Sequence, residues 1–413
     1  MKRFKTFVVL GVFTIFVVAF CFSLPLKQNF AFASDENSFN ITIDAYNKSE
    51  QISFKIREDA KKYIGDIKQN EAENLALFLK MAYKKGIMPE YALEFCFEDF
   101  SNTIMQFIVA HNVEAQNAIL APIKNTGKVY LKNAVYGKEI EKSELIFDIF
   151  NNLVQKNTKI TAKFNTILPQ IDNGFYNNLM HLRGKFFTTY VSSTNERKHN
   201  IEKALSCFDG LTIWPNEILS FNKVTGIRSE ENGYKGAKII INGEFVEGFG
   251  GGVCQASTTL YNACLVSGLE IVEANQHSLK VNYIAPSFDA MVNTGSNDLK
   301  IRNNTGYPIT LATKCDGTTC EVFVYGAENK YKIVRRSEVL SEKAPADDEI
   351  IFTSEIDNNF KENNFYYKIA PKNEVVSEGF LDYYKNGILE QSVKIRHNTY
   401  KGVRGVKVVK NSN

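Results

Sequence analysis

The sequence predicts an α+β protein of several regions, and three observations support this fold class. The chain has 413 residues, which is more than one typical domain needs. Its first third places apolar residues at helical spacing, whereas its later part alternates short strand-like runs with turn dipeptides. Apolar residues make up 44% and charged residues 23% of the chain, which is the composition of an ordinary globular protein.

Residues 1–33 have the pattern of a signal peptide or a membrane anchor. Basic residues precede an apolar run and a small-aromatic-small triplet, at Lys2, Arg3, Lys5, Phe7–Leu24 and Ala31–Ala33. Such a pattern is typical of an export signal, and the apolar run is also just long enough to span a bilayer. Either alternative predicts an extracytoplasmic protein, in the cell wall or anchored at the outer face of the membrane.

The next two regions are distinguished by the period of their apolar residues. Residues 34–118 are predicted to be mainly helical, with one helix at 71–85 and a helix-compatible segment at 89–113. Residues 119–185 are predicted to form a small α+β unit. Its elements are a strand at 126–131, a helix at 142–155 and a strand at 158–164.

Two β-rich regions follow. Residues 186–328 are predicted to contain helices at 201–207 and 255–267, a hairpin around Asn242-Gly243, and strands at 279–284, 290–294, 299–302, 309–313 and 321–325. Residues 329–413 are predicted to form a β-rich extension, with a second hairpin at Asn386-Gly387.

A cysteine follows three glycines in the segment 248–257, GFGGGVCQAS. Glycine tolerates positive φ angles and the close approach of another group, so the segment predicts a tight turn from a strand into a helix. Cys254 would then occupy the helix N-terminus, where the helix dipole lowers the pKa of a thiol. Cys254 is therefore the candidate nucleophile, and the alternative is a small buried residue.

His277 is the candidate base, because among five histidines it alone lies downstream of Cys254 within residues 186–328. An imidazole there could take the thiol proton and pass it to a leaving amine. Asp289 is the candidate group that orients the imidazole, with Asn293 as a neutral alternative. A surface histidine without a catalytic role is the competing interpretation.

A further set of residues is predicted to bind substrate near the thiol. They are Gly251, Gly252, Gln255, Ser257, Arg228 and Tyr234. The two glycines could offer N–H groups as an oxyanion hole, and the loop residues Arg228 and Tyr234 could bind a peptide carboxylate or amine. The alternatives are that Ser257 caps and packs the helix and that the loop is only solvated.

Few other ligands are predicted. CxxC and HExxH patterns are absent from the sequence, so no metal and no cofactor are expected. A net charge of +3 gives no reason to expect nucleic acid, and the oligomeric state stays open.

Cys315 and Cys320 flank an Asp-Gly turn, where a disulfide across a hairpin and two free thiols are equally consistent with the sequence.

The segment from Phe187 to Thr313 closely resembles the VanW domain. The matching stretches are LSFN at 219–222, GY at 233–234, GGGVCQ at 250–255, STTLYNA at 257–263, GLE at 268–270, HS at 277–278 and DA at 289–290. Cys254 falls on the cysteine motif of that family. A weaker resemblance links residues 119–185 to the peptidoglycan-binding modules that often precede VanW domains.

The resemblance implies an L,D-transpeptidase, a cysteine acyltransferase that forms 3-3 cross-links between peptidoglycan stem peptides. The expected partners are these stem peptides, together with the membrane if the N-terminal segment stays uncleaved. Two alternatives remain at this point. The protein could be a non-catalytic cell-wall-binding protein, or a cysteine endopeptidase or carboxypeptidase that acts on the same polymer.

Overall fold

The fold was analysed in a computed structural model that describes residues 38–46, 48–64, 67–241, 244–353, 360 and 364–410. The predicted signal or anchor at residues 1–33 lies outside this part of the chain. Among the helices that are described, none combines the length and the apolarity needed to cross a membrane.

The described chain is α+β, as the sequence predicts. Its helices are α1 (Glu58–Ile64), α2 (Ile67–Lys84), α3 (Pro89–Cys96), α4 (Phe100–His111), α5 (Lys142–Gln155), α6 (Asn195–Ser206), α7 (Phe221–Thr225) and α8 (Val253–Val266). The strands up to residue 249 are β1 (Ser38–Ala45), β2 (Lys48–Lys55), β3 (Ile119–Ile123), β4 (Lys128–Lys132), β5 (Gly137–Ile140), β6 (Lys159–Thr161), β7 (Phe164–Ile167), β8 (His181–Thr189), β9 (Thr212–Ile213), β10 (Ile218–Ser220), β11 (Gly236–Ile241) and β12 (Glu244–Phe249). The later strands are β13 (Glu270–Glu273), β14 (Lys300–Arg302), β15 (Ile309–Cys315), β16 (Thr319–Gly326), β17 (Lys332–Lys343), β18 (Glu349–Thr353), β19 (Phe365–Ile369), β20 (Glu374–Lys385), β21 (Ile388–Tyr400) and β22 (Val406–Lys410).

The chain divides into two compact units, and their boundaries differ from the predicted ones. Unit 1 comprises the described parts of 1–117 and 134–171, and unit 2 comprises those of 118–133 and 172–413. The segment predicted as one module, 119–185, is therefore shared between the units. Residue 328 is not a boundary either, because the C-terminal strands belong to unit 2.

Unit 1 joins helices α1–α5 to a small sheet with strand order β2-β1-β6. The helix α5 has the predicted bounds, since its buried residues recur at helical spacing. The prediction of a mainly helical region missed β1 and β2. Alternate residues of β1, Ile41, Ile43 and Ala45, are buried, which is the two-residue period of a strand with one face on the core.

Unit 2 is built around the buried helix α8. Twelve of its fourteen residues are buried, and the strands of the sheet β8-β16-β15-β9 surround the same core. A helix that is enclosed on all sides needs few charged residues, and α8 has none. The core also includes Ile333 and Leu381 of the C-terminal extension, so the extension packs as part of this unit.

The connection between β13 and β14 is irregular, although the sequence predicts strands at 279–284 and 290–294 there. In this segment the only described pairing is an isolated bridge between Asn275 and Met291. The apolar residues that favour strands there are instead buried individually, as Leu279, Ala290 and Val292 are. The segment passes over the N-terminal end of α8, where Val292 accepts a hydrogen bond from Cys254.

Candidate active site

The glycine-rich turn that precedes α8 needs its glycines for two separate reasons. Gly250 and Gly252 have φ angles of 88° and 105°, which only glycine adopts without strain. A Cβ atom on Gly252 would also lie 2.9 Å from Ile201 and 3.0 Å from Arg197, and one on Gly250 would lie 2.9 Å from Arg228. The turn thus lets α6 and the Arg228 loop approach the start of α8.

Cys254 is the second residue of α8 and is partly buried. Its Sγ donates to the carbonyl of Val292 at 3.2 Å. Burial opposes ionisation of this thiol, but the hydrogen bond and charge of His277 and the charge of Arg228 favour the thiolate. The net effect lowers the pKa of Cys254 below its ordinary value.

His277 connects the thiol to a buried carboxylate. Its Nδ1 lies 2.7 Å from Oδ2 of Asp289, and its backbone N–H donates to the same oxygen at 2.6 Å. Because Nδ1 bonds to Asp289, Nε2 is the ring nitrogen that is available to Cys254. Burial disfavours the imidazolium, but the bonds to Asp289 and Cys254 outweigh burial and raise the pKa of His277 to about 9.

These two shifts act in the same direction. The thiol is acidified and the imidazole is made more basic, so both shifts favour a thiolate–imidazolium pair over the neutral pair. Cys254 is then poised as a nucleophile, and His277 holds the proton that a leaving group would need.

Asp289 is held in place by residues of the C-terminal extension. The carboxylate is 1% exposed, and its Oδ1 accepts a bond from the hydroxyl of Tyr400 at 2.6 Å. Arg396 donates to its backbone carbonyl at 2.6 Å. Burial alone would raise the pKa of Asp289, yet the bonds from His277 and Tyr400 keep it below its ordinary value. No sequence signal identifies Tyr400 or Arg396, because they lie more than a hundred residues away in β21.

Two arginines place positive charge around the thiol, and sequence reasoning found only one of them. Arg228 donates to the neutral side chains of Asn222, Thr225 and Thr294. Arg197, on α6, donates to Ser193 and Gln255. Burial lowers the pKa of both guanidinium groups, and both interact electrostatically with Cys254. Their partners are uncharged, so the site has positive charge available for a thiolate or for a bound carboxylate.

Three residues predicted to bind substrate have buried structural positions instead. Gln255 is 1% exposed, and its amide bonds to Arg197, Thr188 and the carbonyl of Thr189. Ser257 is fully buried, in agreement with the alternative that it packs the helix. Tyr234 is 1% exposed and donates to the carbonyl of Thr225 at 3.3 Å. These side chains face the protein interior in this structure, and their role as substrate contacts stays a prediction.

Two further candidates, Asn293 and Gly251, make hydrogen bonds within the protein. Asn293, the alternative to Asp289, accepts bonds from Ser296 and Asn297 and shapes its own turn. Gly251 is buried, and its carbonyl accepts a bond from Asn200 at 3.1 Å. Within the described residues no cluster of three or more histidine, cysteine, aspartate or glutamate side chains could hold a metal ion.

Cys315 and Cys320 lie directly opposite each other across the β15–β16 hairpin. Both are free thiols in this structure. Cys320 is fully buried and lies 3.2 Å from the hydroxyl of Thr188. Burial raises the pKa of both thiols, so neither resembles Cys254 in acidity.

The geometry defines a domain in which a helix N-terminus presents an acidified cysteine to a histidine and a buried aspartate. Residues 196–325 match a family model described as VanW like protein. This part of the chain is a VanW family domain, as its resemblance predicts.

Two curated relatives support this assignment. Uncharacterized protein YoaR of Bacillus subtilis (strain 168) is 37% identical over 175 residues, 41% of this chain and 57% of the relative. Vancomycin B-type resistance protein VanW of Enterococcus faecalis (strain ATCC 700802 / V583) is 31% identical over 112 residues, 26% of this chain and 40% of the relative. The matches thus span about half of the length of these relatives.

One solved structure also aligns with a part of the chain. The crystal structure of HP0197-G5 matches 20% of this chain and 99% of its own chain at 15% identity, with a TM-score of 0.11. A similarity at this score says nothing about the fold of the protein.

Proposed function

We propose that the protein is an extracytoplasmic peptidoglycan L,D-transpeptidase that uses Cys254 as its nucleophile. The observation that carries the proposal is the position of Cys254 at the start of α8, where its thiol interacts with His277, which in turn is bound to the buried carboxylate of Asp289. A VanW family domain, and a relative named as a vancomycin resistance protein, support a role connected with the cell wall.

In the acylation step, the thiolate of Cys254 attacks the carbonyl carbon at the L-centre of a donor tetrapeptide stem. A carbon–sulfur bond forms and the carbonyl π pair moves to the oxygen. The tetrahedral intermediate then collapses, the carbon–nitrogen bond breaks, and His277 gives its proton to the departing amine of the terminal D-alanine. Asp289 holds the imidazolium in position and stabilises its charge.

In the second step, the side-chain amine of a neighbouring stem attacks the thioester. The amine loses a proton to His277, the carbon–sulfur bond breaks, and Cys254 leaves as a thiolate. The product is a 3-3 cross-link, and the site has returned to its thiolate–imidazolium state. Arg228 and Arg197 contribute positive charge, which suits a donor stem that ends in a free carboxylate.

The proposal is tested by incubating the full exported chain with tetrapeptide muropeptides and analysing the products by mass spectrometry. We expect 3-3 cross-linked dimers from the wild type and none from Cys254→Ala. Cys207→Ala is the matched control, because it removes another partly buried thiol, one that bonds only to the carbonyl of Lys203.

Two other outcomes would replace the proposal. Tripeptide monomers without dimers, lost in Cys254→Ala, would indicate a carboxypeptidase in which water accepts the acyl group. Retention of muropeptides without any conversion, equal in wild type and Cys254→Ala, would indicate a cell-wall-binding protein. Equal cross-linking by Cys254→Ala and wild type would contradict the cysteine mechanism.

A further inference from the structure

Tyr283 lies on the irregular segment between His277 and Asp289, and its hydroxyl is in an unusual state. The oxygen atom is buried, yet it makes no hydrogen bond among the described residues. Leaving a buried hydroxyl unpaired is unfavourable. A tyrosine hydroxyl that is buried usually has a partner, so an unpaired one suggests a ligand that supplies it.

The surroundings of this hydroxyl belong to the candidate active site. Thr258 is a polar neighbour of Tyr283 without the geometry of a hydrogen bond. Thr258 lies one helical turn after Cys254 on the same face of α8, and its own hydroxyl already accepts the N–H of Ala290 at 3.0 Å. Cys254 and Arg197 also act on Tyr283 electrostatically. The hydroxyl therefore lies near the N-terminal turn of α8, which carries Cys254.

The ionisation state of Tyr283 suits a donor. Burial and the charge of Cys254 raise the pKa of Tyr283 well above its ordinary value. The phenol therefore keeps its proton while the neighbouring thiol is ionised, and its O–H group remains available to an oxygen that develops negative charge.

Some backbone N–H groups of the turn are already engaged and cannot serve an oxyanion hole. The N–H of Val253 donates to the carbonyl of Gly250 at 3.0 Å, and that of Gln255 donates to Gly252 at 2.9 Å. The N–H of Cys254 belongs to the first helical turn, where N–H groups have no acceptor within the helix. An oxyanion hole is usually built from two or more donors, so the N–H of Cys254 needs a second donor, either an N–H group of Gly251 or Gly252 or a nearby side chain.

We propose that the hydroxyl of Tyr283 is this second donor and binds the substrate carbonyl oxygen during acylation. The inference rests on the proposed acyl transfer at Cys254. As the carbon–sulfur bond forms, the carbonyl π pair moves to the oxygen, and Tyr283 donates a hydrogen bond to that oxygen without giving up its proton. The bond strengthens as the charge develops, so it acts mainly on the transition state.

The test compares Tyr283→Phe with wild type in the rate of thioester formation on Cys254, followed by intact-protein mass spectrometry with a tetrapeptide muropeptide. We expect the rate to fall by about 10- to 1000-fold, the usual effect of removing one oxyanion donor. Iodoacetamide alkylation of Cys254, which has no oxyanion, should keep its rate and its pH dependence. Tyr325→Phe is the matched control, because its hydroxyl bonds to the carbonyl of Gly127 in the same unit.

Two outcomes would contradict the role proposed for Tyr283 without contradicting the proposed function of Cys254. Acylation of Tyr283→Phe at the wild-type rate would show that the hydroxyl does not contact the oxyanion. An equal loss of acylation and alkylation would show that Tyr283 positions the thiol instead.

If the wild type forms no thioester with muropeptides, the proposed function is contradicted and the first comparison cannot be made. A second measurement then tests the role of Tyr283 separately. A short peptide aldehyde adds to a cysteine as a hemithioacetal and places an oxygen in the oxyanion position. Tyr283→Phe should bind N-acetyl-Ala-Ala aldehyde about tenfold or more weakly than wild type and Tyr325→Phe. Equal affinity would overturn the inference.

Discussion

The two ends of α8 hold cysteines with opposite chemistry. Cys254 lies at the N-terminal end, partly buried, with His277 and Arg228 acting on it. Cys264 lies ten residues later, fully buried among apolar side chains. Burial opposes ionisation of both thiols, but only at Cys254 do neighbouring charges reverse the effect.

This difference shows that the helix alone does not make a reactive cysteine. The helix dipole contributes at the N-terminal end, and His277 is the strongest of the side chains that lower the pKa of Cys254. That imidazolium exists at neutral pH because Asp289 binds it, and Asp289 is fixed by Tyr400 from the C-terminal extension. The reactive end of α8 is thus assembled from three distant parts of unit 2.

The largest expected effect separates the two cysteines directly. Iodoacetamide near neutral pH should alkylate Cys254 at least about 1000-fold faster than Cys264, since the thiolate is the reactive form and Cys264 is buried and neutral. Peptide mass spectrometry of the digested protein at several time points measures both rates. Comparable labelling rates of the two residues in the folded protein would contradict the proposed difference in reactivity between Cys254 and Cys264.

The next prediction concerns His277→Ala, which should make the acidity of Cys254 more like that of Cys264. In His277→Ala, burial is no longer opposed by the imidazolium, so the pKa of Cys254 should rise and alkylation at pH 7 should slow by about 10- to 100-fold. Acyl transfer should fall by about 100- to 10000-fold, because the proton donor is also lost. His199→Ala is the control, as this ring bonds to the carbonyl of Gly233 at 2.8 Å. An unchanged alkylation rate in His277→Ala would contradict the ion pair.

The pH dependence of kcat/KM should follow the same pair. Activity needs the thiolate, which is lost as pH falls through the lowered pKa of Cys254. It also needs the imidazolium, which is lost as pH rises through the pKa of His277, about 9. We expect a bell-shaped profile with its alkaline limb near pH 9 and a tenfold loss per pH unit beyond each limb. Activity that keeps rising above pH 10 would contradict a role for protonated His277.

The smallest expected effect tests the contribution of the extension. Tyr400→Phe removes one hydrogen bond from Asp289, worth about 0.5–1.5 kcal/mol. The Asp289 carboxylate then binds the imidazolium less firmly, so acyl transfer should fall by about threefold to tenfold and the alkaline limb should move to lower pH. Tyr366→Phe, on β19, is the control. A profile of Tyr400→Phe identical to wild type would show that the extension does not tune the site.

Much of the reactive end of α8 could be predicted from local sequence. The triple glycine before Cys254 fixes the turn, because positive φ angles and close packing both exclude a side chain there. His277 and Asp289 were identified as the nearest suitable groups downstream. The helix α5 also has its predicted bounds, since its amphipathic pattern is local.

The parts that could not be predicted depend on long-range packing. Residues 279–284 and 290–294 contain strand-forming residues, yet burial against α8 leaves no partner strand for most of them. Gln255 is polar but satisfied in the core by Arg197 and Thr188, and no local pattern signals such a partnership. Polar side chains beside a reactive thiol therefore look alike in sequence whether they face substrate or the interior.

The most direct test of the account is the intact mass of the protein after brief incubation with a tetrapeptide muropeptide. We expect a mass increase equal to the donor stem minus D-alanine. The added group should be a thioester on Cys254 that hydroxylamine releases, and free D-alanine should appear in equal amount. Cys264 should carry no adduct. Cross-linked dimers formed without any adduct on Cys254, and at the same rate by Cys254→Ala, would contradict it.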